Sequence, residues 1–278
     1  MDLFRNIRHV IFLFYLFQML STRVRCNISI LKYRRITCLK SNTQNSEYPI
    51  ENFLHKDKKL ISISPGGFKG FYMMGVCKYI KQNYNLENFI FTGASAGAWN
   101  SLLLCCKRDI EEIQSNILDD SLYKTKSICD LENLIKGKIL KTYNTDDFEL
   151  NKLFIGVTTI EHYKKNTTIF SGFDSLDDAL NCCIASSHIP LVTGGFTNVY
   201  RNVFTFDGGF SKYPYLNTTR SVLHITPGIW KKTKPNPTMS ITDYTTLFSK
   251  EQFNFNEMIE KGFEDTHKNK EYLDSIFI

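Results

Sequence analysis

The chain has 278 residues, of which 42% are hydrophobic and 22% charged, and its formal net charge is +6. This length and apolar content suit one large globular domain or two small ones, and they exclude a largely disordered protein. No run of 18 apolar residues occurs in the sequence, which argues against a membrane-spanning helix.

The positive charge is concentrated at the N-terminus. Residues 1–50 contain eight Lys or Arg residues and two acidic residues, whereas the remaining 228 residues contain 26 basic and 26 acidic residues. A neutral body lacks the basic field that binding to nucleic-acid phosphates requires. We therefore do not expect a nucleic acid as the main partner.

Residues 1–50 are interpreted as a leader. An apolar stretch at 10–20 follows Arg5 and Arg8, as in a secretory signal peptide, and residues 23–45 are basic and free of acids, as in organelle transit peptides. This predicts a membrane-associated protein that uses the secretory pathway or an organelle signal. The alternatives are a disordered N-terminus or an amphipathic surface helix. Under each of these interpretations, residues 1–50 are not expected to belong to the folded domain.

The body of the chain alternates between patterns typical of strands and of helices. Strands are predicted at 59–63, 88–91, 153–159, 166–170, 203–206 and 222–225, and helices at 69–84, 96–107, 109–118, 131–143, 176–186 and 253–277. Strands separated by helices indicate a mostly parallel sheet with helices on both faces. One α/β domain from 55 to 278 is the simplest organisation.

The eight cysteines include no C-x-x-C pair, so a zinc site is not expected. The two Cys-Cys pairs lie in apolar, helix-like stretches, which favours buried free thiols. The sequence gives no reason to expect a metal or another cofactor.

Glycine is scarce, at 15 residues, yet seven of the fifteen fall in three short clusters. The clusters are Gly66, Gly67 and Gly70; Gly93 and Gly97; and Gly208 and Gly209. Each cluster follows a predicted strand, and the carboxyl ends of strands are where open α/β sheets form their sites.

The second cluster reads Gly-Ala-Ser-Ala-Gly over residues 93–97, a G-x-S-x-G motif between a strand and a helix. Such a motif predicts a sharp turn from which Ser95 projects, with the N–H of Ala96 beside it at the start of a helix. In the first cluster, Pro-Gly-Gly-Phe-Lys-Gly, backbone N–H groups are expected to bind an anion, such as the oxyanion formed during acyl transfer. A dinucleotide-binding loop fits this cluster less well because Pro65 replaces the first glycine, and a P-loop fits worse because of the position of Lys69.

Together with Asp207-Gly208-Gly209, these segments resemble the patatin-like phospholipase family over residues 61–223. The stretch Ser-Ser-His-Ile-Pro at 186–190 is also similar to the family. The resemblance implies a three-layer α/β/α fold and a catalytic dyad of Ser95 and Asp207. It further implies an oxyanion hole from Gly66, Gly67, Phe68 and Ala96, with Pro65 departing from the usual first glycine.

The same resemblance implies hydrolysis of phospholipids or neutral glycerolipids at a membrane surface, without a cofactor. Two alternatives stay open. An α/β-hydrolase triad would need a histidine after the acid, and His224 and His267 are available, whereas His162 and His188 are more often structural. A non-catalytic lipid-binding or scaffold protein is the second alternative, motivated by Pro65.

Overall fold

The computed structural model describes residues 38–40, 58–161, 164–217, 221–231 and 253–278. The strands in these ranges are β1 (Cys38–Lys40), β2 (Lys59–Ile63), β3 (Phe89–Gly93), β4 (Leu153–Glu161), β5 (Lys164–Phe170), β6 (Asn198–Tyr200), β7 (Val203–Phe206) and β8 (Ser221–Ile225). The helices are α1 (Gly70–Asn83), α2 (Ala96–Cys105), α3 (Ile110–Ile117), α4 (Ile128–Thr142), α5 (Leu176–Ser186), α6 (Phe255–Lys268) and α7 (Lys270–Phe277).

The strands form one sheet whose main path runs β1-β5-β4-β3-β2-β8. The four central strands β8, β2, β3 and β4 are parallel, whereas β5 and β1 add an antiparallel edge. Because β2 and β3 are adjacent and parallel, the loop after Ile63 and the turn after Gly93 emerge at the same edge of the sheet. The predicted α/β class, with a central sheet flanked by helices, is confirmed.

Strand β7 reaches this edge from the opposite direction. The first part of β4 pairs with β3 through Ile155, and further along β4 pairs antiparallel with β7, with Thr158 opposite Phe206. β7 therefore lies beyond the end of β3 and runs back toward it. The residue after β7, Asp207, is brought close to the residues that follow β3.

The main hydrophobic core lies between the sheet and the helices. Alternate strand residues such as Ile61, Phe91 and Ile155 join it, in keeping with the two-residue period of a strand. Their neighbours Leu60 and Ile90 face the other side and belong to a second cluster.

Most of the predicted elements appear with small shifts at their ends. The strands at 59–63 and 203–206 and the helix at 176–186 have the predicted bounds. The predicted single helix over 253–277 is wrong, because the structure contains two helices that meet at Asn269. Strand β6 was not predicted, since three residues are too few to show a period.

The predicted leader falls outside the described residues except for Cys38–Lys40, which form strand β1 and pair with β5. This short strand belongs to the sheet, although its sequence lies in the segment set aside as a leader. Within the described ranges, no helix combines the length and apolarity needed to cross a bilayer.

Candidate active site

Ser95 lies in the sharp turn that the G-x-S-x-G motif predicts, between β3 and α2. Its backbone has φ 54° and ψ −126°, a conformation that residues with a side chain seldom adopt. The N–H of Ser95 donates to Ser186 Oγ over 2.8 Å, and Ser186 Oγ donates to the Gly156 carbonyl over 2.6 Å. The strained turn is therefore fastened to both α5 and β4.

Close packing explains the glycines on either side of Ser95. A Cβ at Gly93 would collide with the Gly97 carbonyl, and a Cβ at Gly97 would collide with the Ile63 carbonyl of β2. A Cβ at Gly70 would lie 2.8 Å from the Ala96 side chain. The three backbone segments approach one another more closely than any larger residue allows.

Three of the four residues predicted for the oxyanion hole line the same cavity as Ser95: Gly67, Phe68 and Ala96. Gly67 has φ 53° and begins a short 3-10 helix, and Ala96 begins α2, so their amides belong to first helical turns, which lack intrahelical acceptors. Gly66 does not line the cavity, and a Cβ there would meet Met73 and Pro227.

Asp207 is fully buried and lines the cavity together with Ser95. Its N–H donates to the His188 carbonyl over 2.7 Å, and its Oδ1 accepts the Gly209 N–H over 2.6 Å. Gly208 lies against the sharp turn at residues 93–97, and a Cβ on Gly208 would be 2.6 Å from the Ala94 side chain. These contacts explain the Asp-Gly-Gly sequence and fix the carboxylate.

Burial raises the pKa of Asp207 from 3.8 to about 6, whereas the Ser95 hydroxyl and the Gly209 N–H act in the opposite direction as hydrogen-bond donors. The approach of Ser95 falls short of full hydrogen-bond geometry, since Asp207 Oδ2 has no partner among the described residues. Such contacts often tighten only when substrate binds. The carboxylate is thus a stronger base than an exposed aspartate.

The cavity has a volume of about 140 Å³. Its lining includes Ser95 and Asp207, and most of its walls are apolar residues of α1, α2, α3 and α4. Phe68, within the glycine-rich segment 65–70, and Phe71, just after it, line the cavity. The next aromatic residue, Tyr72, instead donates to Asp265 on α6. An apolar cavity whose lining includes a serine and a buried carboxylate suits an acyl chain joined to an ester.

Glu132 is a site residue that the sequence analysis missed. It lies on the cavity face of α4 among Ile128, Leu131 and Ile135, and it is only 8% exposed. Burial raises its pKa well above the usual value, with a smaller contribution from the charge of Asp207, while the Ser187 hydroxyl lowers it. A lone acid on an apolar helical stripe is the sequence signal that marks this position.

Asn100 was also missed. Its side-chain amide donates to the carbonyls of Gly70 and Ala96, over 3.1 and 2.9 Å, and so ties the start of α1 to the start of α2. It thereby links the residue after the 3-10 helix of the candidate donors Gly67 and Phe68 to the helix start at Ala96, the third candidate. The sequence signal for this role is an asparagine in α2, an otherwise apolar and buried helix that follows the turn at Ser95.

The histidines considered for a triad are engaged elsewhere. His224 Nδ1 lies 2.7 Å from Ser62 Oγ, and His267 Nδ1 lies 3.3 Å from the Tyr79 hydroxyl. His188 is buried and its carbonyl accepts the Asp207 N–H, yet none of these three histidines lines the cavity. His162 lies outside the described residues.

Within the described ranges, no group of three His, Cys, Asp or Glu residues is arranged to hold a metal ion.

Comparison with known proteins finds relatives that carry a patatin-like phospholipase domain. It is 26% identical over 185 residues to patatin-like phospholipase domain-containing protein 2 of Mus musculus, covering 63% of this chain and 38% of that protein. The protein of the same name in Bos taurus is 24% identical over 177 residues, covering 60% and 36%. The chain thus spans well under half the length of these relatives.

Among solved structures, VipD from Legionella pneumophila is 15% identical, with a TM-score of 0.36 over 75% of this chain and 55% of that one. The sequence profile of the family described as patatin-like phospholipase matches residues 61–216. This range includes the glycine-rich segment 65–70, the turn at 93–97 and Asp207-Gly208-Gly209. That match covers more than half of the chain, and the chain belongs to the patatin-like phospholipase family.

Proposed function

We propose that this chain is a lipid acyl hydrolase that cleaves carboxylic esters through an acyl intermediate on Ser95. The single observation that carries the proposal is that Ser95, in its strained turn, and the buried Asp207 line one largely apolar cavity. Family membership adds lipid hydrolysis as the general class of reaction.

In the proposed acylation step, Ser95 Oγ attacks the ester carbonyl carbon while Asp207 accepts the hydroxyl proton. A base works best when its pKa is near the working pH, and a pKa of about 6 leaves most of Asp207 ionised at pH 7. Collapse of the tetrahedral intermediate returns this proton to the leaving alcohol. Water, activated by the same carboxylate, then releases the fatty acid from Ser95.

The negative oxygen of the tetrahedral intermediate needs fixed donors. Gly67, Phe68 and Ala96 line the cavity together with Ser95, and their backbone amides are proposed for this role. Each such donor contributes about 2.7–4 kcal/mol to stabilising the transition state. Pro65 lies before this group, so its missing N–H removes none of the three.

The proposed substrates are phospholipids or neutral glycerolipids, because the apolar walls suit an acyl chain, and the proposed location is a membrane surface. The contacts of His224 with Ser62 and of His267 with Tyr79 favour a dyad over a triad.

The test combines a fluorophosphonate probe with single substitutions to Ala at Ser95, Asp207, His224 and His267. We expect labelling of the wild type to vanish in Ser95→Ala, and kcat/KM for a soluble ester to fall at least about 10³-fold in Ser95→Ala and Asp207→Ala. The histidine variants serve as matched controls and should stay within about tenfold. Equal damage from a histidine variant would favour the triad, and a folded wild type that never labels would indicate a non-catalytic protein.

A further inference from the structure

Four exposed apolar side chains lie in the segment that leads from α5 to Asp207. Leu191, Phe196, Val199 and Phe204 are 63%, 49%, 56% and 50% exposed, and all lie in the loop after α5 or in the β6–β7 hairpin. We refer to these four residues as the apolar face. The chain from α5 to Asp207 passes through this face, so the face belongs to the segment that carries the candidate base.

The hairpin holds two of the four side chains on one side of the sheet. Val199 and Phe204 are directly opposite each other in the β6–β7 pair, and Phe204 is opposite Ile160 of β4. The turn residue Arg201 bonds to Asp178 over 2.6 Å and to the Ser171 carbonyl over 3.2 Å. The hairpin is therefore fastened to the start of α5 while its apolar side stays open to solvent.

Leu191 adjoins the cavity and has an unfavourable conformation. Its φ is 62°, in the left-handed region that costs an ordinary side chain free energy. Its neighbours Ile189 and Thr193 both line the cavity, and the Leu191 N–H donates to the Gly195 carbonyl over 3.2 Å. An exposed leucine held in a strained turn beside a substrate cavity contributes little to folding, which indicates a functional role.

The charges around the apolar face are complementary to an anionic surface. From 179 to 231 the only acidic residue is Asp207, and it is buried. The exposed residues Lys164 and Lys165 lie on β5; Lys164 is opposite Glu161 of β4, whereas Lys165 is opposite Ile160, in the same row as Phe204. Basic side chains beside exposed Leu, Phe and Val side chains are typical of surfaces that bind the interface of anionic membranes.

We propose that the apolar face docks on an anionic phospholipid bilayer and so brings the loop that carries Ile189 and Thr193 of the cavity lining to the lipid. Leu191 and Phe196 would enter the interface, with the hairpin beside them, so that an acyl chain passes from the bilayer into the cavity without crossing water. This inference rests on the proposed function for its purpose, but binding to vesicles is measurable without hydrolysis.

The experiment measures co-sedimentation with vesicles of phosphatidylcholine alone and of phosphatidylcholine with phosphatidylserine, in a Ser95→Ala background that consumes no lipid. The test variant carries Leu191→Ser, Phe196→Ser, Val199→Ser and Phe204→Ser. The matched control carries Leu140→Ser and Tyr272→Ser, which are exposed apolar residues outside this segment. Thermal melting verifies that each variant is folded, and a double variant with only the two loop substitutions is used if the quadruple variant does not fold.

We expect the loop and hairpin substitutions to lower the fraction bound to mixed vesicles at least about tenfold, while the control binds like its parent. Binding should also be stronger to mixed vesicles than to phosphatidylcholine alone. Equal loss in test and control variants, no binding by the parent, or a dimer that the test substitutions dissociate would each overturn the proposal. A wild type that fluorophosphonate does not label would overturn the proposed function and leave the vesicle result unaffected.

Discussion

At the scale of single residues, the candidate site stores strain at Ser95 and leaves Asp207 without a full set of partners. A non-glycine residue in such a conformation costs about 1–3 kcal/mol, and the surrounding contacts must offset that cost. Here the bond from the Ser95 N–H to Ser186 and the glycine contacts on both sides hold the turn. The backbone of the turn is thereby fixed with Ser95 in the lining of the cavity.

Asp207→Asn should remove activity and, at alkaline pH, stabilise the fold. Because burial raises the pKa of Asp207 above its unfolded value, its contribution to stability is complete below about 3.8 and is lost as pH rises through about 6. The difference between these values corresponds to about 3 kcal/mol, which the neutral Asn would recover. Urea unfolding at pH 8 should show this gain over the wild type, and at pH 4 the gain should vanish. A difference in the free energy of unfolding between the variant and the wild type that does not change with pH would contradict this prediction.

Glu132→Gln should change the pH profile of kcat/KM on its alkaline side. Burial keeps Glu132 neutral until the pH is well above its usual pKa, and its ionisation then places a second negative charge near Asp207, where it opposes the developing oxyanion. We expect wild-type activity on a soluble ester to rise near pH 6 and to fall again as Glu132 ionises. The Gln variant should keep the rise and lose that fall. Superimposable profiles for the two proteins would exclude this role.

At the scale of elements, helices α1 and α6 cross at two glycines. A Cβ on Gly75 would collide with the Ile259 carbonyl, and a Cβ on Gly262 would collide with the Tyr72 carbonyl. Ile259 is fully buried against α1 as a result. This crossing holds α6 against the helix that follows the candidate oxyanion loop.

Gly75→Ala should lower the free energy of unfolding by at least about 2 kcal/mol, because the two helices must move apart. Gly137→Ala is the matched control, since Gly137 is exposed on α4 and a Cβ there meets nothing within 4 Å. The control should raise stability by about 0.5–1 kcal/mol, as Ala is the better helix former. Chemical denaturation gives the free energy of unfolding of both variants. Equal changes in this free energy would show that the crossing does not require glycine.

At the scale of the whole molecule, the C-terminal helices lie outside the family match yet complete the structure. Phe255 stacks on Phe71, which lines the cavity, with 4.1 Å between ring centroids, and also stacks on Tyr123 at 4.9 Å. Leu273 of α7 is fully buried. The cavity wall therefore depends on residues far from the motifs.

Deleting residues 253–278 should abolish cooperative folding. Phe255, Ile259 and Leu273 each contribute about 1.5–3 kcal/mol through burial, against a total stability of about 5–15 kcal/mol for an ordinary domain. Thermal unfolding followed by circular dichroism should show no transition for the shortened chain. Removal of Ile278 alone, which is 96% exposed, should leave the melting temperature unchanged. An unaltered transition after the full deletion would mean that the helices are dispensable.

The sequence by itself determined the α/β class, most of the elements, and the three glycine-marked segments, because residue period and glycine spacing are local properties. It also paired Ser95 with Asp207 through the family resemblance. It did not reveal that β7 is antiparallel and reaches the end of β3 from the opposite side, since strand direction depends on the partner. Nor did it reveal Glu132, Asn100 or the crossing at Gly75 and Gly262. Only tertiary structure decided these, because burial and close contact arise between segments that are distant in the chain.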